Sequence, residues 1–134
     1  MAVTIARTAY DKIFEHAGAS MAEEVCGVLL GHGLHIEEAL PAANIANDRT
    51  RHFEIDPTVL LRAHRMARAQ GRAVIGHYHS HPNGIARPSP RDAAGAFQPG
   101  LLWLIVAAGA IAAYRAVDKG EIAGRFEAMA METG

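Results

Sequence analysis

The sequence predicts one α/β domain in which a sheet is packed by helices on its faces. Three observations carry that expectation. The chain has 134 residues, enough for one domain to bury a core without disulfide support. Half of its residues are hydrophobic and a fifth are charged, the balance of a folded globular protein rather than a disordered one. Amphipathic stretches at helical spacing alternate along the chain with apolar runs too short to be helices, as expected for helices layered on a sheet.

Residues 8–17 place Tyr10, Ile13, Phe14 and Ala17 on one helical face, with Thr8 and Asp11 as a capping pair and Gly18 as the stop. Residues 25–30 are continuously apolar and read as a strand covered on both faces, with Glu24 at its entrance. Gly31-His32-Gly33 marks a turn, after which residues 34–40 return as a second strand that Pro41 ends. Residues 42–51 read as loop and residues 52–55 as a short strand. Asp56 is an N-cap with Pro57 at the first helical position, opening a helix that runs to about Gln70, before Gly71. The arginines Arg62, Arg65 and Arg68 recur every third residue of this helix. A docking face for an acidic partner would show that spacing, but so does any solvated helix surface, and the latter reading is preferred.

The run Ala73-Val74-Ile75 leads into Gly76-His77-Tyr78-His79-Ser80-His81-Pro82, which reads as the end of a buried strand. Residues 83–88 form a loop, and Ser89 begins a third helix that reaches about Phe97 before Gln98-Pro99-Gly100 breaks it. Strands are expected over residues 101–107, 110–117 and 121–126, joined at Ala108-Gly109 and at Asp118-Lys119-Gly120. Residues 127–134 carry no strong pattern and are expected to fray. Residues 101–117 are apolar over a long stretch, but a membrane span needs about 20 apolar residues. Ala108-Gly109 near the middle and Arg115 near the end suit two buried strands with a tight turn instead.

Side chains alternate along a strand, so His79 and His81 share a face. Two imidazoles on one face can share a divalent ion, but a catalytic site needs a further ligand and an open position. Asp92, eleven positions after His81, can complete the set. Ser89-Pro90-Arg91-Asp92 is also a good helix start with Ser89 as N-cap, so spacing alone leaves two readings of that segment open. The histidine pair upstream favours the ligand reading. Ser80 points away from its histidine neighbours and Cys26 lies in an apolar run, which argues against a serine or cysteine nucleophile. His77 shares the histidine face without an assigned role, and Trp103 is read as packing.

The run His79-Ser80-His81-Pro82, six residues, Ser89, two residues and Asp92 resembles the signature of the JAMM metalloproteases, the JAB1/MPN/Mov34 family. Glu24-Val25-Cys26-Gly27-Val28-Leu29-Leu30-Gly31 resembles that family's other motif. Smaller agreements at Asn47, residues 53–57 and residues 114–120 extend the likeness over most of the chain. One domain is therefore expected over residues 1–134, with its core at about 8–126. The resemblance implies a mixed, mostly antiparallel sheet flanked by helices, similar to the cytidine deaminase architecture. It implies Zn2+ held by His79, His81 and Asp92, Glu24 as the base acting on a metal-activated water, and Ser89 as a donor to the oxyanion. It further implies a zinc-dependent peptidase or isopeptidase of the short bacterial type, whose substrate is the C-terminal Gly-Gly tail of a ubiquitin-like or sulfur-carrier protein. Two other readings stand beside it: a scaffold module of the kind that has lost the metal site, and an amidase acting on a small peptide. All five site residues are present here, which argues against the scaffold. Deaminase chemistry is excluded, because zinc deaminases use a Pro-Cys-x-x-Cys segment and Cys26 is the only cysteine.

A net charge of −1 gives no basic field to hold nucleic acid. A single cysteine allows no internal disulfide, the first residues lack the long apolar region of a signal peptide, and no membrane segment is expected, so the reading is a cytoplasmic protein. A strand edge or the arginine helix could support a homodimer.

Overall fold

Strand β4 (Ala73–Ser80), which carries the histidines, lies within a closed sheet, between an antiparallel and a parallel neighbour. The computed structural model describes residues 2–96 and 98–134. The other strands are β1 (Ala2–Ile5), β2 (Cys26–His32), β3 (His35–Ala42), β5 (Leu102–Ala107), β6 (Ala110–Gly120) and β7 (Gly124–Thr133). They close in the order β1-β3-β2-β4-β5-β6-β7. Pairs β1/β3, β1/β7 and β4/β5 are parallel and the rest antiparallel, so the sheet is mixed and mostly antiparallel, as the sequence led us to expect. Helices α1 (Arg7–Gly18), α2 (Pro57–Ala69) and α3 (Pro90–Gly95) pack around it.

The apolar run of β2 is continuous because both of its faces are covered. Leu29 packs with Ile13 of α1 and with Tyr78, whereas Val28 and Leu30 pack against Ala63 and Ala67 of α2. The two alanines leave α2 room to lie close to the strand. Full burial of a side chain such as Leu29 contributes about 1.5–3 kcal/mol. Asp56 caps α2 by accepting from the Thr58 amide, with Pro57 at the first helical position. Gly27 stands opposite Tyr78, and a Cβ there would lie 2.2 Å from the tyrosine ring and 2.5 Å from the Leu40 carbonyl oxygen. Only glycine lets that ring cross the strand. Ala108 and Gly109, at φ 51° and 77°, make the two-residue turn between β5 and β6.

Several local expectations are corrected. Residues 127–134 do not fray: β7 runs to Thr133, because β1 lies parallel to it from Ala2 opposite Ala130 to Ile5 opposite Thr133. Strand β1 itself was not foreseen, since four residues are too few for a pattern to show; Val3 and Ile5 are nevertheless fully buried. The sheet thus extends beyond residues 8–126 at both ends. Strand β6 continues through Asp118-Lys119-Gly120, with a register shift after Ala116, and the turn falls at residues 121–123. Strand β3 runs through Pro41, which is tolerated because β1 covers only His35 and Ile36 of β3 and leaves that edge open. Helix α1 starts at Arg7 with Ala6 as an N-cap that makes no side-chain bond, so Thr8 is not its cap. The reason is β1: the chain leaves that strand at Ile5 and enters the helix at once. Residues 52–55 supply only an isolated bridge from Ile55 to Asn44. Helix α3 stops at Gly95, and its expected end at Phe97 lies outside the described residues.

Candidate metal centre

Strand alternation puts Tyr78 and Ser80 on the α1 side of β4 and His77, His79 and His81 on the other. Three further pieces of chain meet the histidine face. The residue before β2 brings Glu24, and the start of α3 brings Ser89 and Asp92. Glu24, His79, His81 and Asp92 are 6, 0, 6 and 5% exposed, a concentration of buried ionisable groups that folding alone does not favour. The two imidazole Nε2 atoms are 2.9 Å apart. Asp92 Oδ2 lies 3.1 Å from the His81 Nε2, and Asp92 Oδ1 lies 3.3 Å from that of His79. Ligand atoms of Glu24, His79 and His81 all fall within 4.8 Å of one another. All five residues singled out in the sequence are therefore gathered at one place.

The helix-start and site readings of residues 89–92 turn out to be compatible. Ser89 Oγ accepts from the Asp92 amide at 3.0 Å, and Asp92 Oδ2 accepts from the Ser89 amide at 2.9 Å, a complete capping box. The cap fixes the carboxylate against the histidines and leaves the serine O–H proton uncommitted. His81 Nδ1 donates to the Ile85 carbonyl, 2.8 Å away, which turns the Nε2 edge of the ring toward Asp92 and His79.

Burial pushes the Glu24 carboxyl up to about 7, against the opposing pull of His81, and its Oε1 is buried with no hydrogen-bond partner among the described residues. Burial would also raise Asp92, but hydrogen bonds with His79 and His81 hold it well below the usual carboxylate range. Burial lowers His79 and His77, the latter to about 3. Burial works against the His81 cation as well, yet Asp92, the Ile85 carbonyl and Glu24 together raise its pKa. Two imidazole Nε2 atoms and a carboxylate turned on one another, beside a buried carboxyl whose Oε1 has no partner among the described residues, form a cluster that could take up a cation. The donor set of two nitrogens and oxygen suits a zinc-like ion.

The family model for prokaryotic homologs of the JAB domain matches residues 6–119. This chain belongs to that family. The resemblance read from the two motifs is thereby borne out. The chain is 33% identical over 109 residues to a desampylase from Haloferax volcanii, covering 77% of this chain and 78% of that protein. A shorter match, 37% identical over 57 residues, covers 42% of this chain and 38% of a "Probable TtuB-protein conjugate cleaving protease" from Thermus thermophilus. The solution structure of a protein from Desulfitobacterium hafniense is similar at a TM-score of 0.82 and 26% identity, covering 98% of this chain and 92% of that one.

The other nucleophile candidates of this JAB domain have structural uses. Ser80 Oγ accepts from the Val25 amide at 2.9 Å, and burial pushes the Cys26 thiol up to about 12. Trp103 is packing, 4% exposed, with its ring against His77 and Phe126. On the α1 side, an apolar groove of about 340 Å³, lined in part by Phe14, Met21, Pro82 and Val106, meets the polar cluster only at His81. Two residues outside the five also touch the cluster: Phe53 stacks on His79, and Asn44 bonds to the Glu24 carbonyl. The family likeness over residues 53–57 is the signal available for Phe53; Asn44 has none beyond turn chemistry. No helix among the described residues is long and apolar enough to cross a membrane.

Proposed function

We propose that this JAB domain is a zinc-dependent peptidase or isopeptidase that cleaves conjugates or C-terminal extensions of ubiquitin-like or sulfur-carrier proteins after a terminal Gly-Gly. The observation that carries the reading is the convergence of His79, His81 and Asp92 opposite a buried, unpartnered Glu24 carboxylate. The names of the desampylase and the conjugate cleaving protease support the substrate class.

In this reading His79, His81 and Asp92 hold the ion, which when bound supplies Lewis-acid polarisation of the carbonyl and a more acidic water. Glu24 takes the proton of the attacking water on its carboxylate and delivers it to the departing amine nitrogen. The C–O bond forms as the carbonyl opens to an oxyanion, and the C–N bond breaks as that carbonyl re-forms, the proton passing from the water to the amine nitrogen through a single side chain. Ser89 donates its uncommitted O–H to the developing oxyanion while its oxygen keeps the cap. The apolar groove beside His81 takes chain adjoining the scissile bond.

The test is intact mass spectrometry of sulfur-carrier and ubiquitin-like proteins bearing C-terminal extensions, incubated with the zinc-loaded wild type and with Glu24→Gln. Loss of everything beyond Gly-Gly with the wild type alone is expected. Equal turnover of short Gly-Gly-X peptides and of the folded carriers would remove the protein-substrate assignment. Equal cleavage by Glu24→Gln would remove the base.

A further inference from the structure

The two histidines of the cluster are held by different means. His81 is fixed by the hydrogen bond from its Nδ1 to the Ile85 carbonyl. His79 is not: its Nδ1 is buried without a hydrogen-bond partner among the described residues. A ring that offers Nε2 to an ion is normally oriented by a hydrogen bond from its other nitrogen. Aromatic rings flank His79 instead. Phe53 lies flat on it, with centroids 4.1 Å apart and planes inclined by 17°. Trp103 stands edge-on at 5.8 Å and 83°.

Phe53 comes from the loop between β3 and α2, so the stack depends on what holds that loop. Asn44 does so. Its Nδ2 donates to the carbonyl oxygens of Glu24, at 2.8 Å, and His52, at 2.9 Å; its Oδ1 accepts from the amides of Ala46 and Glu54, each at 3.0 Å. These partners also fix which end of the side-chain amide is nitrogen, since carbonyls cannot donate. The bonds to His52 and Glu54 bracket Phe53. The bond to Glu24 ties the same side chain to the residue that faces the histidines.

We propose that Phe53 is a positioning residue that sets the His79 ring in place of a hydrogen bond, and that Asn44 holds Phe53 and Glu24 in one frame. The inference rests on the reading of His79 as a metal ligand. It differs from a merely structural role in what it demands of the substituent: an aromatic plane, not bulk.

The experiment is zinc competition against a chromophoric chelator, with urea midpoints measured alongside, for the wild type, Phe53→Leu, Phe53→Met, Phe53→Tyr and Asn44→Asp. Two non-aromatic variants guard against one of them failing to fold. Phe53→Leu and Phe53→Met are expected to bind zinc about tenfold more weakly, and Phe53→Tyr to restore wild-type affinity. Asn44→Asp turns an acceptor toward two carbonyls and is expected to weaken zinc binding likewise. In the metal-free protein, the His79 ring-proton NMR signals are expected to lose the ring-current shift of Phe53 in the Leu and Met variants and keep it in Tyr. Wild-type affinity in Phe53→Leu or Phe53→Met would overturn the proposal, as would an equal loss in Phe53→Tyr. A wild type that binds no zinc would overturn the ligand reading and this inference with it, whereas normal zinc binding by the wild type and Phe53→Leu together would sink this inference alone.

Discussion

On the α1 side of β4, the buried polar groups are partnered. The Tyr78 hydroxyl meets His16 Nδ1 at 2.7 Å, and Ser80 Oγ takes the Val25 amide at 2.9 Å. On the other side, burial is as complete but the accounts are left open. Among the described residues His77 Nδ1, His79 Nδ1 and Glu24 Oε1 have no hydrogen-bond partner, and the remaining contacts of the cluster join groups that could each donate a lone pair to a cation. Leaving a buried polar group unmade costs about 1–3 kcal/mol, more if it is charged. Strand β4 therefore satisfies the polar groups on one face and leaves those on the face of the proposed metal site open.

That comparison can be broken by substitution. The largest expected effect is on catalysis: Glu24→Gln should lower turnover of a conjugate by at least about a hundredfold, because a proton carrier is lost while the shape is kept. Steady-state kinetics alongside zinc content would check it, and the zinc content should not change. Next comes Gly27→Ala, whose new methyl meets both the Tyr78 ring and the Leu40 carbonyl. A stability loss of about 3 kcal/mol by urea denaturation is expected, since a backbone oxygen cannot step aside.

The pH dependence of the metal-free protein sharpens the same contrast. Glu24 has a folded-state pKa near 7, raised above its ordinary value chiefly by burial. Below the ordinary value both states are protonated and the group is neutral in effect. As pH rises toward 7 the unfolded state ionises first, so stability falls. Glu24→Gln removes this penalty, and in the presence of chelator the variant should gain on the wild type as pH rises above the ordinary carboxylate range, levelling off above pH 7. A difference that shrinks with rising pH would contradict the burial of an ionisable Glu24. The smallest effect belongs to the partnered face. Ser80→Ala orphans the Val25 amide and should cost about 1–2 kcal/mol in urea stability, with zinc affinity unchanged.

Most of this contrast could be read from the chain. Alternation along β4 put His79 and His81 together and Ser80 opposite them, and the unbroken apolar run from Val25 to Leu30 marked a strand buried on both faces. Ser89 and Asp92 were ambiguous because a capping box and a ligand-bearing turn need the same residues at the same spacing; the structure uses one geometry for both. Closure of the sheet by β1 and β7 was not legible, since pairing between residues 2–5 and 130–133 is a property of chain ends far apart in sequence. Nor was the role of Asn44, whose four hydrogen bonds reach three separate pieces of backbone and leave no periodic trace.

The central claim is that His79, His81 and Asp92 form the ion-holding set and Glu24 stands apart from it. Glu24 lies as close to the histidines as a third ligand would, so the assignment has a direct rival. The measurement is zinc stoichiometry and affinity by calorimetry for the wild type, Glu24→Gln and Asp92→Ala. The account predicts one zinc per chain for the wild type and for Glu24→Gln, with binding strongly weakened in Asp92→Ala. Zinc lost from Glu24→Gln and kept by Asp92→Ala would contradict it and make Glu24 the ligand.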